Sequence, residues 1–368
     1  MPADALAALF ELTPAGDTLE EVDTPVPVID LDVVARNLSR WQSRCDALGL
    51  ANRPHIKTHK LVPLARAQSA GGAKGITVQK LGEAEVMADA GISDMLLTFN
   101  AVGRSKLERL AALARRTDIA VVADSDVVAE GIAWAGVAAG RSIRTLIECD
   151  TGAGRCGVQT PAAALSLARK IANTKGLRFG GLMTYPKSGG RAQTAAFLAE
   201  ARDLMLKDGL PVEIISTGGT PDMWKDDGLA SGMEYRAGTY IYNDRSLIAC
   251  GAANEADCAL TVLATVVSRP TPEHAIIDAG SKALTSDLLG LTGYGVLQGA
   301  PDALVYAHSE EHGFVDVSKM PEPPKVGDRV RIIPNHVCPV SNLFARVVII
   351  RGATVLGAAK VDARGTVW

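Results

Sequence analysis

An α/β fold, a (β/α)8 barrel of the TIM type followed by an all-β domain, is predicted for this chain by three observations. First, short apolar or β-branched runs recur at 55–58, 75–79, 94–100, 118–125, 144–150, 177–185, 212–218 and 235–243, with amphipathic stretches such as 82–90, 105–115 and 162–173 between them. Most runs are followed within three residues by Gly or Asp, the punctuation of βα turns, and eight such units suit a parallel barrel. Second, no GxxxxGK[ST] follows a run, which weighs against a P-loop form of the competing arrangement, an open doubly wound sheet. Third, helical periodicity nearly vanishes beyond Glu255, where strand-like runs at 262–268, 274–278, 329–333, 346–351 and 354–356 are divided by Pro- and Gly-bearing turns. The expected division is a barrel over 24–255 and a β domain over 256–368, with residues 1–23 packed on the latter.

The N-terminus MPADALAALFELTPAGD has no basic region and no long apolar run, so a secretory leader is not expected. No stretch approaches the roughly 20 apolar residues of a membrane helix. A net charge of -3 gives no reason to expect nucleic acid or an anionic membrane as partner. The six cysteines are scattered, without CxxC pairs, which suits a reducing cytoplasm. Apolar residues at 47% and charged residues at 21% are ordinary for a soluble globular enzyme and argue against disorder.

In a β/α barrel, chemistry collects at the C-terminal ends of the strands. The first candidate there is RPHIKTHK (53–60), where Pro54 sets an extended entry and a strand would place His55, Lys57 and His59 on one face and Lys60 on the other. A lysine on an inner face is costly unless paired or covalently used. The run reads either as a basic anion-binding loop or as a Schiff-base lysine at Lys57, with His59 as a further catalytic candidate. DTGAGRCG (150–157) follows the fifth run, and there Arg155 could pair with Asp150 or Glu148. TYPK (184–187) ends the sixth run and carries Tyr185 at the barrel mouth. STGGTP (216–221) ends the seventh, with Ser216, Gly218, Gly219 and Thr220, and RAGTYIYND (236–244) lies on the eighth, with Arg236, Gly238, Thr239 and Tyr240. Small residues and hydroxyls at the seventh and eighth positions let backbone N–H groups close on a phosphate, although a glycine pair can equally be a plain turn. A phosphate site plus a strand-end lysine is what a pyridoxal phosphate enzyme needs. In the β domain, PNHVCP (334–339) carries His336 and Cys338, good ligands for zinc or a similar metal that would share one face of an extended segment.

These motifs, in this order, resemble the D-threonine aldolase/D-serine dehydratase family, alanine-racemase-like pyridoxal phosphate enzymes with a barrel and a β domain. The resemblance runs from about Thr24 to the C-terminal segment, and HxKTHK is its most specific part. It implies that Lys57 carries the cofactor and that Ser216 to Thr220 and Gly238 to Tyr240 hold its phosphate. Arg236, in the pattern RxGxxxY, matches the arginine facing the pyridine nitrogen. It further implies a divalent ion on His336 and Cys338, zinc or manganese and less readily magnesium, together with a homodimer and substrates of D configuration.

Two reactions fit a β-hydroxy amino acid on this cofactor: elimination to an oxo acid and ammonia, or retro-aldol cleavage to glycine and an aldehyde. His-x-Cys resembles the dehydratases of the family, whereas its aldolases carry His-x-Asp. No histidine lies between His59 and His274, so the barrel-borne base proposed for aldolases has no counterpart. An always-protonated Arg236 would leave the ring nitrogen without a proton and weaken the electron sink on which cleavage depends. Dehydration therefore leads. Racemisation is a lesser reading, and a non-catalytic cofactor carrier is disfavoured because single-barrel carriers lack the β domain.

Overall fold

The computed structural model describes residues 1–225 and 230–368, which divide into two compact units. One holds residues 42–57, 68–238 and 366–368, and the other residues 1–41, 58–67 and 239–365.

The first unit is built on an eight-stranded sheet in which every pairing is parallel. Its strands are Ala51–Asn52, Ile76–Val78, Asp94–Leu97, Asp118–Ala123, Ile143–Glu148, Leu177–Met183, Ile214–Thr217 and Glu234–Tyr235. The first strand pairs with the eighth, and the ring closes through a parallel bridge from His55 to Thr77. Strands such as Asp118–Ala123 are apolar without alternation because the barrel interior covers one face and helices the other. Leu96, Ala120, Val122, Leu146, Met183 and Ile214 pack into one cluster, and each large apolar side chain buried this way is worth about 1.5–3 kcal/mol. The helix Pro161–Ala172 begins where Thr160 accepts from the Ala163 amide and Pro161 fills the first turn. Gly181 is required where it stands: its φ is +132°, and a Cβ there would fall 1.9 Å from the Ile214 carbonyl oxygen.

The first run differs from expectation. The strand is Ala51–Asn52, and Ile56–Thr58 is a turn of 3-10 helix. Pairing continues past Pro54, whose carbonyl accepts from the Thr77 amide at 2.8 Å while the His55 amide donates to the Ala237 carbonyl at 3.0 Å, and it ends where the chain turns at Ile56. His55, Lys57 and His59 therefore do not alternate along a strand. The eighth run is likewise short, because the chain leaves the sheet after Tyr235 and turns at Thr239–Ile241. Arg53, at the head of the motif, is spent structurally, bonding Asp94 at 2.6 Å and buried Glu234 at 2.9 Å.

The second unit carries a nine-stranded sheet, in the order His274–Ile277, Gly313–Asp316, Ala300–His308, Gly295–Leu297, Arg329–Pro334, Leu260–Thr271, Val26–Asp30, Arg346–Arg351 and Thr354–Lys360. A further pairing of Leu260–Thr271 with His274–Ile277 closes the first six into a ring. The strands at 295–297, 300–308 and 313–316 fall outside the expected runs: the first and third are only three and four residues long, and the second opens on the polar stretch Ala300-Pro301-Asp302. Val26–Asp30 pairs here, antiparallel to Leu260–Thr271 and parallel to Arg346–Arg351, although residues from 24 onward are expected in the barrel. A short apolar run reads alike in either sheet. Val22, Val28, Leu263, Val348, Ile350 and Val355 form its core, and Thr13 bridges to Ala358. Among the described residues no helix is long and apolar enough to cross a membrane.

Candidate active site

In the barrel unit the structure gathers cations around one buried imidazole. His55 is buried, with Nε2 3.1 Å from Gln79 Oε1 and 3.5 Å from Thr98 Oγ1. Its Nδ1 accepts from the Lys57 amide at 3.4 Å. Burial first, then the charges of Lys57, Arg236 and Arg155, push its pKa well below the usual histidine value, the Gln79 bond opposing. A neutral ring thus lies beneath three cations. The wall carries the same sign as an anionic ligand would need.

Arg236 is fully enclosed. It donates to Ser216 Oγ at 2.8 Å and to the Thr184 carbonyl at 2.6 Å. Burial pulls its pKa down to about 10, against the pull of Glu234 and Glu148, so it is a cation at neutral pH. Ser216, expected on a phosphate, has its hydroxyl engaged by this arginine. Arg155 lies 3.7 Å from Glu148, whose pKa burial raises, and its guanidinium sits 4.8 Å from the ring centre of the exposed Tyr185. The glycine pair is no plain turn. Gly218 has φ +92° and a Cβ there would fall 2.6 Å from the Tyr235 ring; one on Gly219 would come within 3.3 Å of Tyr185. Tyr235 fixes the pair by donating to the Gly219 carbonyl at 2.9 Å, and the Gly238 amide donates to Thr220 Oγ1 at 3.2 Å.

The β unit holds the other candidates. His59 is fully buried, and its Nδ1 accepts from the Leu61 amide at 3.0 Å. Lys60 has φ +56° and donates to the Ala363 carbonyl at 3.4 Å, a structural use. Thr239 Oγ1 stands 3.8 Å from Cys338 Sγ, and Thr58 Oγ1 3.3 Å. Tyr240 packs on Trp41 at 6.1 Å between ring centres, so its ring belongs to the core.

His336 and Cys338 do not lie on one extended segment. His336 is the extended residue before the helix Val337–Leu343, and Cys338 is already inside it. The two side chains nevertheless meet: burial lowers the His336 pKa, but hydrogen bonds to Cys338 and Asp287 outweigh it and raise the pKa to about 9. The motif is held from behind. Asp244, buried, accepts from the Val337 amide at 3.1 Å and caps the helix Arg245–Ala249 through Leu247. Asn335 donates to the carbonyls of Asp287 and Gly293 at 3.1 and 2.7 Å. Tyr242 is fully buried and its hydroxyl has no hydrogen-bond partner among the described residues; burial, and then Cys338, raise its pKa. Among the described residues no three His, Cys, Asp or Glu side chains gather as a metal cage. Two protein ligands leave the remaining positions open, which suits a catalytic ion better than a structural one.

Sequence reasoning did not select Tyr242, Asp244, Asp287 or Asn335. Tyr242 and Asp244 lie within RAGTYIYND, and Tyr242 is the tyrosine of RxGxxxY, so a signal for both was present. Nothing near Asp287 marks it.

Two family models match the chain, the alanine racemase N-terminal domain over residues 29–246 and a putative serine dehydratase domain over 259–350. The chain is 35% identical to a D-threonine aldolase of Arthrobacter sp, covering 95% of each. It is also 35% identical to a D-threo-3-hydroxyaspartate dehydratase of Delftia sp. (strain HT23), covering 89% of this chain and 94% of that one. Among solved structures, a D-threonine aldolase from Filomicrobium marinum superposes with a TM-score of 0.89 at 33% identity, covering 97% of this chain and 100% of that one. The Delftia dehydratase superposes with a TM-score of 0.85 at 33% identity, covering 94% and 99%. Two variants of it have alanine for a histidine and for a cysteine two positions apart, and the cysteine variant is in a metal-free form.

Proposed function

The chain belongs to the alanine-racemase-like family of pyridoxal phosphate enzymes and is a lyase of β-hydroxy-D-amino acids, and from that premise we propose that it acts as a dehydratase. The observation that carries this reading is the His336–Cys338 pair, which meets across a helix start and shares its spacing with the histidine and cysteine replaced in the Delftia dehydratase.

The residues fit both groups. Cations surround His55, and the Gly218–Gly219 pair has no room for a Cβ, as an anionic phosphorylated cofactor needs. An imidazole beside a thiol, with carboxylates behind, fits a divalent ion, and the soft sulfur favours zinc over magnesium. When bound, the cofactor supplies a sink for the electron pair at Cα and the ion a Lewis acid for the β-hydroxyl. On this reading Lys57 holds the cofactor covalently and takes the Cα proton, oriented through the His55–amide bond. Gly218, Gly219, Thr220, Gly238 and Thr239 hold the phosphate, while Arg155 and Tyr185 flank the mouth. Ser216 fixes Arg236, which remains a cation at neutral pH, would donate a hydrogen bond to the ring nitrogen without giving up its proton, and so disfavours cleavage. His336 and Cys338 hold the ion, and His59, buried at the end of the motif, supports the turn. The enzyme works on a small-molecule substrate as a cytoplasmic homodimer.

Cleavage is the second reading, favoured by the likeness to two D-threonine aldolases. Product analysis with D-threonine separates the two. Dehydration yields 2-oxobutanoate and ammonia in equal amounts; glycine and acetaldehyde as the main products would overturn it.

A further inference from the structure

We infer that Asp287 is the positioning residue of the metal site: its carboxylate accepts from Nδ1–H of His336, so that Nε2 is the nitrogen offered to a divalent cation. This rests on the metal reading above and adds a residue to it.

The Nδ1 to Asp287 Oδ2 distance is 2.7 Å, short enough for a charge-assisted hydrogen bond. An imidazole without such a partner samples both tautomers, and only one of them presents a lone pair at Nε2. A carboxylate on Nδ1 fixes the proton there and raises the basicity of the other nitrogen. The pair is poorly placed to serve stability. The side chains are 26% and 46% exposed, and ion pairs so open to water contribute little.

The structure instead spends effort on placing Asp287. Its amide donates to Thr285 Oγ1 at 3.0 Å, and Asn335, which is buried, donates to its carbonyl. Arg245 donates to Asn335 Oδ1 at 3.0 Å and to the Thr292 carbonyl at 2.6 Å, tying the far end of the loop to the residue before His336. The loop holds two non-glycine residues in the left-handed region, Thr285 at φ +72° and Leu289 at +48°. Such conformations persist only where surrounding bonds impose them, and they cluster at functional sites. The loop and the ligand segment are thus one assembly, and its outcome is a carboxylate on one edge of the His336 ring and a thiol within hydrogen-bond reach of the same ring.

The test uses the full chain with its cofactor, stripped of metal by chelation, then titrated with zinc against a chromophoric competitor. The parent should bind one equivalent, Asp287→Ala should bind roughly 10–100-fold more weakly, and Asp287→Glu should recover part of the loss. Selective 15N labelling of histidine in the metal-free proteins, above the pH at which His336 loses its second proton, should show the remaining proton on Nδ1 in the parent and shared between the two ring nitrogens in Asp287→Ala. The unfolding midpoints of the metal-free proteins should agree, and Asp287→Asn serves as a second variant if Asp287→Ala folds poorly. If the parent binds zinc and the variants bind it equally, with the same tautomer, the positioning role is wrong while the metal reading stands. If the parent binds no zinc at all, both fall.

Discussion

The two units present opposite electrostatics to their candidate ligands. In the barrel unit three cations, Lys57, Arg155 and Arg236, act on one neutral buried imidazole, and Glu148 is pushed towards its protonated form. In the β unit carboxylates stand behind the reactive pair: Asp287 bonds His336, and buried Asp244 accepts from the amide between His336 and Cys338. The first arrangement suits an anionic cofactor and the second a metal cation. They also differ in how they are held. Lys57 stands on backbone next to a closed ring of parallel strands, whereas His336 and Cys338 straddle the start of a seven-residue helix and depend on side chains from distant segments. The barrel side should therefore tolerate change in its surroundings, and the β side should be sensitive to single supporting residues.

The largest expected effect is at the barrel side. Lys57→Ala should lower lyase activity by roughly 10³-fold or more, since it removes both the covalent anchor and the proton acceptor. Borohydride reduction of the parent followed by peptide mapping should place the pyridoxyl group on Lys57. Label on Lys60 or Lys187 would contradict the assignment, and for Lys60 the bond to Ala363 already speaks against it.

The smallest concerns the β side. A buried hydroxyl without a partner costs about 1–3 kcal/mol, so Tyr242→Phe should leave the metal-free protein as stable as the parent or about 1 kcal/mol more stable in chemical denaturation. A loss of 2 kcal/mol or more would mean that the hydroxyl has a partner in solution, and that the β side is less dependent on its ligand than the comparison implies.

The same contrast governs what could be read in advance. Each barrel motif is one contiguous run at a strand end, so RPHIKTHK, STGGTP and RAGTYIYND were legible along with the strands that carry them. Local geometry still escaped. The chain turns at Ile56 and puts Lys57 in a helical turn, and the Tyr240 ring packs beside Trp41. In the β unit the motif PNHVCP is one contiguous run, and the residues that support it are not. His336 and Asp287 are 49 residues apart, and no periodicity or motif links such positions. The strand Val26–Asp30 was misplaced for a related reason: its pairing with Arg346–Arg351 spans nearly the whole chain.

The division of labour between the two units is tested most directly by removing the metal and following two events in one sample. The chelated holoenzyme, its metal content checked by elemental analysis, is incubated with D-threonine in D2O, and NMR follows deuterium at Cα alongside the appearance of 2-oxobutanoate. If Lys57 moves the Cα proton and His336 with Cys338 holds the ion that activates the β-hydroxyl, deuterium should enter Cα while no oxo acid forms, and added zinc should restore product. Oxo acid formed at the untreated rate by the metal-free protein would contradict it.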